Sequence, residues 1–168
     1  MLEKSAAVYF QSGTGNSFRV ANWFWSAARN RGWECSLEPI VRGRQAKETA
    51  GDNRRLILVV TPTHGFTSPW EAIKFCLRLP AGRGAPAAVA VTRAGTKFGR
   101  VFLPGLDGTA AYLLALILFV KGYRVRGAMG FDMPSNWMAV HPGVRRESAE
   151  AIIARTRPKA ERFIQRIL

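Results

Sequence analysis

Apolar residues in this chain come in short runs, and the spacing between them changes from one segment to the next. Ala6 to Phe10 is a brief apolar run expected to be a strand. Asn16 to Arg31 has helical spacing, with Phe18, Ala21, Asn22, Trp25 and Ala28 near one stripe. Trp33 to Glu38 alternates, as a half-exposed edge strand does. Gly43 to Asn53 is polar and reads as a loop with some helix. Arg55 leads a continuous apolar run to Val60, and Ala85 to Thr92 is another; such runs suit strands covered on both faces. Between them, Thr61 to Thr67 reads as a loop. Ser68 is the expected N-cap, Pro69 the first helical position and Glu71 a first-turn acid of a helix reaching about Leu79. Arg93 to Gly99 reads as a glycine-bearing loop, Leu103 to Gly122 as a helix and Tyr123 to Met129 as a strand. Phe131 to Gly143 is irregular. Arg146 to Leu168 is an amphipathic closing helix that Pro158 should bend or interrupt.

Strands alternating with helices predict an α/β domain, a doubly wound five-stranded parallel sheet with helices on both faces. Residues 1–168 fit one domain, with strand order 2-1-3-4-5. Ligands in such sheets sit outside the carboxyl ends of the strands at the switch point. Three loops should therefore converge there: Ser12–Ser17, Thr61–Thr67 and Arg93–Arg100.

The first of these loops carries the chemistry. Ser12, Gly13, Thr14, Gly15, Asn16 and Ser17 are glycine, hydroxyl and amide residues set between a strand and a helix. Glycines let the backbone approach an anion, hydroxyls donate to it, and the helix N-terminus adds N–H groups and a favourable dipole. No Lys or Arg lies within the loop, a style that suits a terminal phosphate monoester. A P-loop would end Gly-Lys-Ser/Thr, but Asn16-Ser17-Phe18 stands there. A dinucleotide fingerprint would need glycine where Phe18 sits, although Glu38 lies near the place of a ribose-binding acid. A glycine–serine turn that merely caps a helix is the plainest alternative.

Charge changes the picture more than size does. The formal net charge is +14, from 25 Lys and Arg against 11 Asp and Glu. That balance favours acidic partners, nucleic acid or anionic lipid as encounter surfaces, or simply a solvated basic face. Ala110 to Val120 is apolar apart from the Tyr112 hydroxyl. It is too short to span a bilayer and reads as a buried helix. Cys35 and Cys76 match no metal spacing and suit two buried thiols in a reducing cytoplasm. Met1 to Lys4 leads straight into a strand pattern without a signal-peptide profile, so the expected location is cytoplasmic.

With these motifs in place the chain resembles the flavodoxin family over essentially its whole length. It is most similar to the flavodoxin-like modules that often precede a bacterial-type ferredoxin module. The resemblance rests on Phe10-Gln11-Ser12-Gly13-Thr14-Gly15-Asn16-Ser17, Pro62-Thr63-His64-Gly65-Phe66, Thr92-Arg93-Ala94-Gly95-Thr96 and Met133-Pro134-Ser135-Asn136-Trp137. It implies FMN, with the phosphate in the first loop and the ring between the second and third. His64 replaces an expected tyrosine, and no cysteine cluster is present for an iron–sulfur module.

The resemblance implies cofactor contacts from the first loop and from Pro62, Thr63, His64, Gly65, Phe66, Thr92, Arg93, Ala94, Gly95, Lys97, Phe98, Asn136 and Trp137. His64 is placed either against the flavin edge or facing water. Phe66 and Phe98 either stack on the ring or pack beneath loops, and Trp70 and Trp137 either cover it or belong to the core. His141 has no evident partner. Arg93, Lys97 and Arg100 flank the third loop with no acid between Glu71 and Asp107. A cation about 8 Å from the ring, at an effective dielectric of about 20, would stabilise the anionic reduced ring by roughly 2 kcal/mol. That is about 90 mV for one electron, and predicts a flavin less reducing than in acidic flavodoxins. The expected function is FMN-dependent electron transfer with an acidic redox protein, such as a separate ferredoxin, or with a small organic acceptor. An NAD(P)H:quinone or flavin reductase on the same scaffold is the alternative. A flavin-free module binding nucleic acid or an acidic protein is a third reading, for which no standard nucleic-acid motif is present.

Overall fold

The computed structural model describes residues 4–42, 55–135 and 144–168. Parallel crossovers build one sheet. The strands are β1 (Ser5–Phe10), β2 (Glu34–Pro39), β3 (Leu56–Pro62), β4 (Pro86–Phe98), β5 (Val101–Leu103) and β6 (Arg124–Pro134). The helices are α1 (Asn16–Asn30), α2 (Trp70–Arg78), α3 (Ala110–Val120) and α4 (Arg146–Ile167). The parallel strands lie in the order β2-β1-β3-β4-β6, which is the expected doubly wound order with β6 as the fifth strand.

Alternation across the pleat divides the core in two. Ala6, Val8, Leu58, Val60, Ala88 and Ala90 face α1 and α4, against Val20, Phe24, Phe163 and Ile164. Ala7, Tyr9, Ile57, Val59, Val89 and Val91 face α2 and α3, against Ala72, Cys76, Leu114 and Leu118. Every middle strand needs apolar residues at consecutive positions, hence the unbroken runs. Cys35 and Cys76 are buried free thiols.

Several boundaries differ from the sequence reading. Strand β4 does not stop at Thr92. It pairs with β6 through Arg93–Asp132, Ala94–Met133 and Gly95–Pro134. It then turns at Gly99 and pairs antiparallel with β5. The expected loop Arg93–Gly99 is therefore mostly strand, and β5 adds a sixth, antiparallel member. Gly95 serves a close approach, since a Cβ there would lie 2.9 Å from the Asp132 Cβ. The helix expected from Leu103 begins only at Ala110, because Pro104, Gly105 and Gly108 occupy an irregular passage. Phe131 to Pro134 belong to β6, while 136–143 and 43–54 lie outside the described residues.

Local chemistry accounts for the remaining corrections. Ser68 does not cap α2; its buried hydroxyl donates to the Ala110 carbonyl, and Pro69 holds the cap position. The α1 stripe is turned from the expected one: Ser17, Val20, Ala21, Phe24 and Ala28 are buried, whereas Phe18 is exposed against Phe10. Helix α4 continues through Pro158. Helix α3 is not a fully buried helix. Tyr112, Leu116, Phe119 and Val120 are exposed along its outer side. No helix among the described residues is long and apolar enough to cross a membrane.

Candidate functional site

A cavity of about 450 Å³ opens at the carboxyl ends of β1, β3, β4 and β6, at the switch point between β1 and β3. Its wall contains Ser12, Gly13, Thr14, Asn16 and Ser17 from the first loop and Pro62, Thr63, His64, Gly65 and Phe66 from the second. Thr92, Arg93 and Ala94 come from β4, and Leu106, Met133 and Pro134 complete it.

The first loop is shaped by Gly15, which caps α1 at φ 89° and donates its N–H to Ser12 Oγ at 3.1 Å. The first intrahelical donor is the Arg19 N–H. The N–H groups of Asn16, Ser17 and Phe18 thus have no acceptor within the helix, as at any helix start. Asn16 Nδ2 donates to the Pro134 carbonyl at 2.9 Å, tying the loop to the end of β6. Ser17 is buried and its hydroxyl shares a 2.8 Å hydrogen bond with Thr92. Ser17 and Thr92 thus link β4 to the floor of the loop.

The second loop is a tight turn. His64 and Thr67 exchange backbone hydrogen bonds at 2.8 and 3.0 Å, and both residues between them, Gly65 and Phe66, have positive φ. Glycine accepts this freely, but Phe66 at φ 61° is strained. The turn lifts the Phe66 ring to the cavity rim, where it is 59% exposed. It is held from behind by the Thr109 N–H, which donates to the Phe66 carbonyl at 2.9 Å. Gly108 leaves no room for a side chain against that carbonyl. Below the turn, Thr63 Oγ1 is buried with no hydrogen-bond partner.

Arg93 departs from the sequence reading. Its Nε donates to Asp132 at 2.8 Å and its Nη1 to Asp107 at 3.2 Å. Burial works against its charge, but hydrogen bonding and attraction to Asp132 and Asp107 outweigh this and raise its pKa above the ordinary guanidinium value. Asp132 also accepts the Gly105 N–H at 2.8 Å, anchoring the passage that carries Leu106 over the cavity. The three side chains, a guanidinium and two carboxylates, sum to one negative charge. The expected local excess of cation near the cavity is thus absent at Arg93: acids 14 and 39 residues distant in sequence fold onto it.

Thirteen residues singled out from the sequence meet around this cavity, and Gly15 forms the corner behind them. Gly95 and Lys97 lie farther along β4. Gly95 lines a smaller cavity of about 140 Å³ beside Arg155 and Lys159, and Lys97 Nζ lies 5.8 Å from the Phe102 ring centroid. Phe98 pairs with Val101 in the β4–β5 hairpin. Trp70 is exposed at the start of α2, with Lys74 5.9 Å from its ring. Asn136, Trp137 and His141 lie outside the described residues. Leu106 was not legible as a wall residue, since its place depends on the Asp132–Gly105 contact. Met133 and Pro134 were signalled by the fourth motif without being assigned a place.

No protein-family model and no curated protein matches the chain. Solved structures do match in fold. Oxidised flavodoxin 2 from Bacillus cereus is 18% identical with a TM-score of 0.62, the match covering 94% of this chain and 99% of that one. A cysteine-to-alanine mutant of the flavodoxin from Pseudomonas aeruginosa is 17% identical with a TM-score of 0.61, covering 97% and 98%. A short-chain flavodoxin associated with a bacterial microcompartment is 16% identical with a TM-score of 0.59, covering 95% and 99%. The chain therefore has the flavodoxin-like α/β fold, along nearly its full length.

Proposed function

We propose that this protein binds FMN in the cavity above the β1–β3 switch point and transfers electrons through it. The observation that carries the reading is the wall itself: a glycine–hydroxyl loop at a helix N-terminus and a buried, unpartnered Thr63 hydroxyl opening onto one space of about 450 Å³. That volume lies within the range of ordinary cofactor pockets. The donor set fits a phosphate at one end and a planar ring at the other. The N–H groups of the first turn of α1 and the hydroxyls of Ser12 and Thr14 would hold the phosphate. Thr63 would give its hydroxyl to the cofactor, removing the cost of a buried polar atom without a partner. Phe66 and His64 would set the plane of the ring, and Leu106 would exclude water from it.

When bound, the flavin supplies one- and two-electron redox chemistry; the protein supplies position and field. Arg93 remains charged between two carboxylates, so this group contributes one net negative charge at the cavity and not a positive one. This removes Arg93 from the three cations, with Lys97 and Arg100, on which the expectation of a less reducing flavin rests. The electron partner proposed is an acidic redox protein, such as a separate ferredoxin, or a small organic acceptor. The test is the visible spectrum of the purified protein after FMN is added and the excess removed. A retained flavin band, with affinity about tenfold lower in a Ser12→Ala, Thr14→Ala double variant, supports the reading. A folded protein that retains no FMN overturns it.

A further inference from the structure

The outer side of α3 is unusual for a solvent-facing helix. Such helices bury one stripe and present polar residues opposite. Helix α3 buries Ala110, Ala111, Leu114 and Leu118 against the sheet, yet Tyr112, Leu116, Phe119 and Val120 on the other side are 56% to 75% exposed. No charged residue occurs from Gly108 to Val120. Leu77, at the end of α2, is also exposed. Lys121 Nζ donates to the Leu77 carbonyl at 2.9 Å and so binds the two helix ends together.

Cations border this apolar strip. Gly82 N–H donates to the Lys121 carbonyl and Gly84 N–H to the Gly122 carbonyl, which sets the exposed Arg83 beside the end of α3. Arg78 and Arg124 are exposed in the flanking segments. Between Glu71 and Asp132 the only acid is Asp107, and it is engaged by Arg93. None of Arg78, Arg83, Lys121 and Arg124 makes an ion pair among the described residues.

We propose that this face docks on an anionic lipid surface, with α3 lying in the plane of the interface. An apolar strip about 16 Å long cannot span a bilayer but can sink its outer side chains to the headgroup–acyl boundary. Bordering Lys and Arg then reach anionic headgroups while their stems cover apolar surface. Tyr112 carries the polar tip and apolar body found at such boundaries. A second copy of the chain is a poor occupant, because a two-fold contact would press the same unpaired cations together. Nucleic acid would meet aliphatic and aromatic side chains at the centre of the patch, where phosphate needs donors. The proposal does not depend on a bound cofactor.

Co-sedimentation with vesicles of phosphatidylglycerol and phosphatidylcholine in equal parts, compared with phosphatidylcholine alone, tests it. Binding should be confined to the anionic vesicles and weaken as salt rises. A Phe119→Ser, Val120→Ser variant should lose about tenfold in affinity with its circular dichroism unchanged. An Arg83→Gln, Arg124→Gln variant should lose about fivefold for each cation removed. Absence of vesicle binding at low salt overturns the proposal, as does binding that the apolar variant leaves intact. A concentration-dependent dimer in sedimentation equilibrium, abolished by Phe119→Ser, Val120→Ser, would also overturn it and assign the face to self-association.

Discussion

The rim of the cavity and the far end of α3 both present cations, but the two are built differently. At the rim, Arg93 is clasped by Asp107 and Asp132, and the group carries one net negative charge. At the end of α3, Arg83, Lys121 and Arg124 stand without an acid beside an exposed apolar strip. A net charge of +14 describes the second region and misdescribes the first. Electrostatic effects on a bound group depend on charges within a few ångströms, whereas encounter with a surface depends on the uncompensated remainder.

The largest effect expected from this contrast lies on the α3 side of the sheet, at high pH. Burial pushes the Cys76 thiol up to about 12. Burial, with Tyr9 and Cys76 nearby, also pushes the Tyr123 phenol up to about 12, its hydroxyl donating to the Pro80 carbonyl at 3.0 Å. A raised pKa means that the fold favours the protonated form. This contribution is complete below the ordinary values of 9.0 and 10.0 and is lost as pH climbs towards 12. Urea midpoints measured across that range should fall steeply, and less steeply in Cys76→Ala. An unchanged slope in the variant would remove the thiol from the account.

At the rim, Asp132→Ala should destabilise the protein by about 2 kcal/mol in urea denaturation, because it takes from Arg93 one of its two carboxylate partners and leaves the Gly105 N–H without its acceptor. A loss near zero would mean that the clasp is solvated and ornamental to the fold. Phe66→Asn should do the reverse. Asparagine tolerates positive φ, so stability should rise by about 1 kcal/mol while FMN affinity falls. A parallel loss of both would show that the strained ring packs for stability alone. The smallest effect is electrostatic: Asp107→Asn should raise the potential of bound flavin by roughly 50 mV in a redox titration, since it removes one negative charge and leaves Arg93 and Asp132 as a neutral pair. A lowered potential would contradict the local charge assignment.

Residue pattern carried the parallel sheet and the first loop well, because both are local. Alternation and unbroken apolar runs are written in consecutive residues, and Ser12 to Ser17 need only their neighbours to form a corner at a helix start. The extension of β4 was hidden because Arg93 to Phe98 contains the glycine and polar residues of a loop. Its strand character comes from β6, about 40 residues away. The clasp on Arg93 was hidden for the same reason. The exposed side of α3 escaped because a helix apolar on every side offers no period from which to read its orientation.

The most direct measurement is a calorimetric titration of the protein with FMN and, separately, with riboflavin, which lacks the phosphate. If the first loop and the start of α1 hold a phosphate, FMN should bind about a hundredfold more tightly, the value of about two charge-assisted hydrogen bonds. Equal affinity for the two, or binding of neither, would contradict a phosphate site at that loop and with it the FMN reading of the cavity.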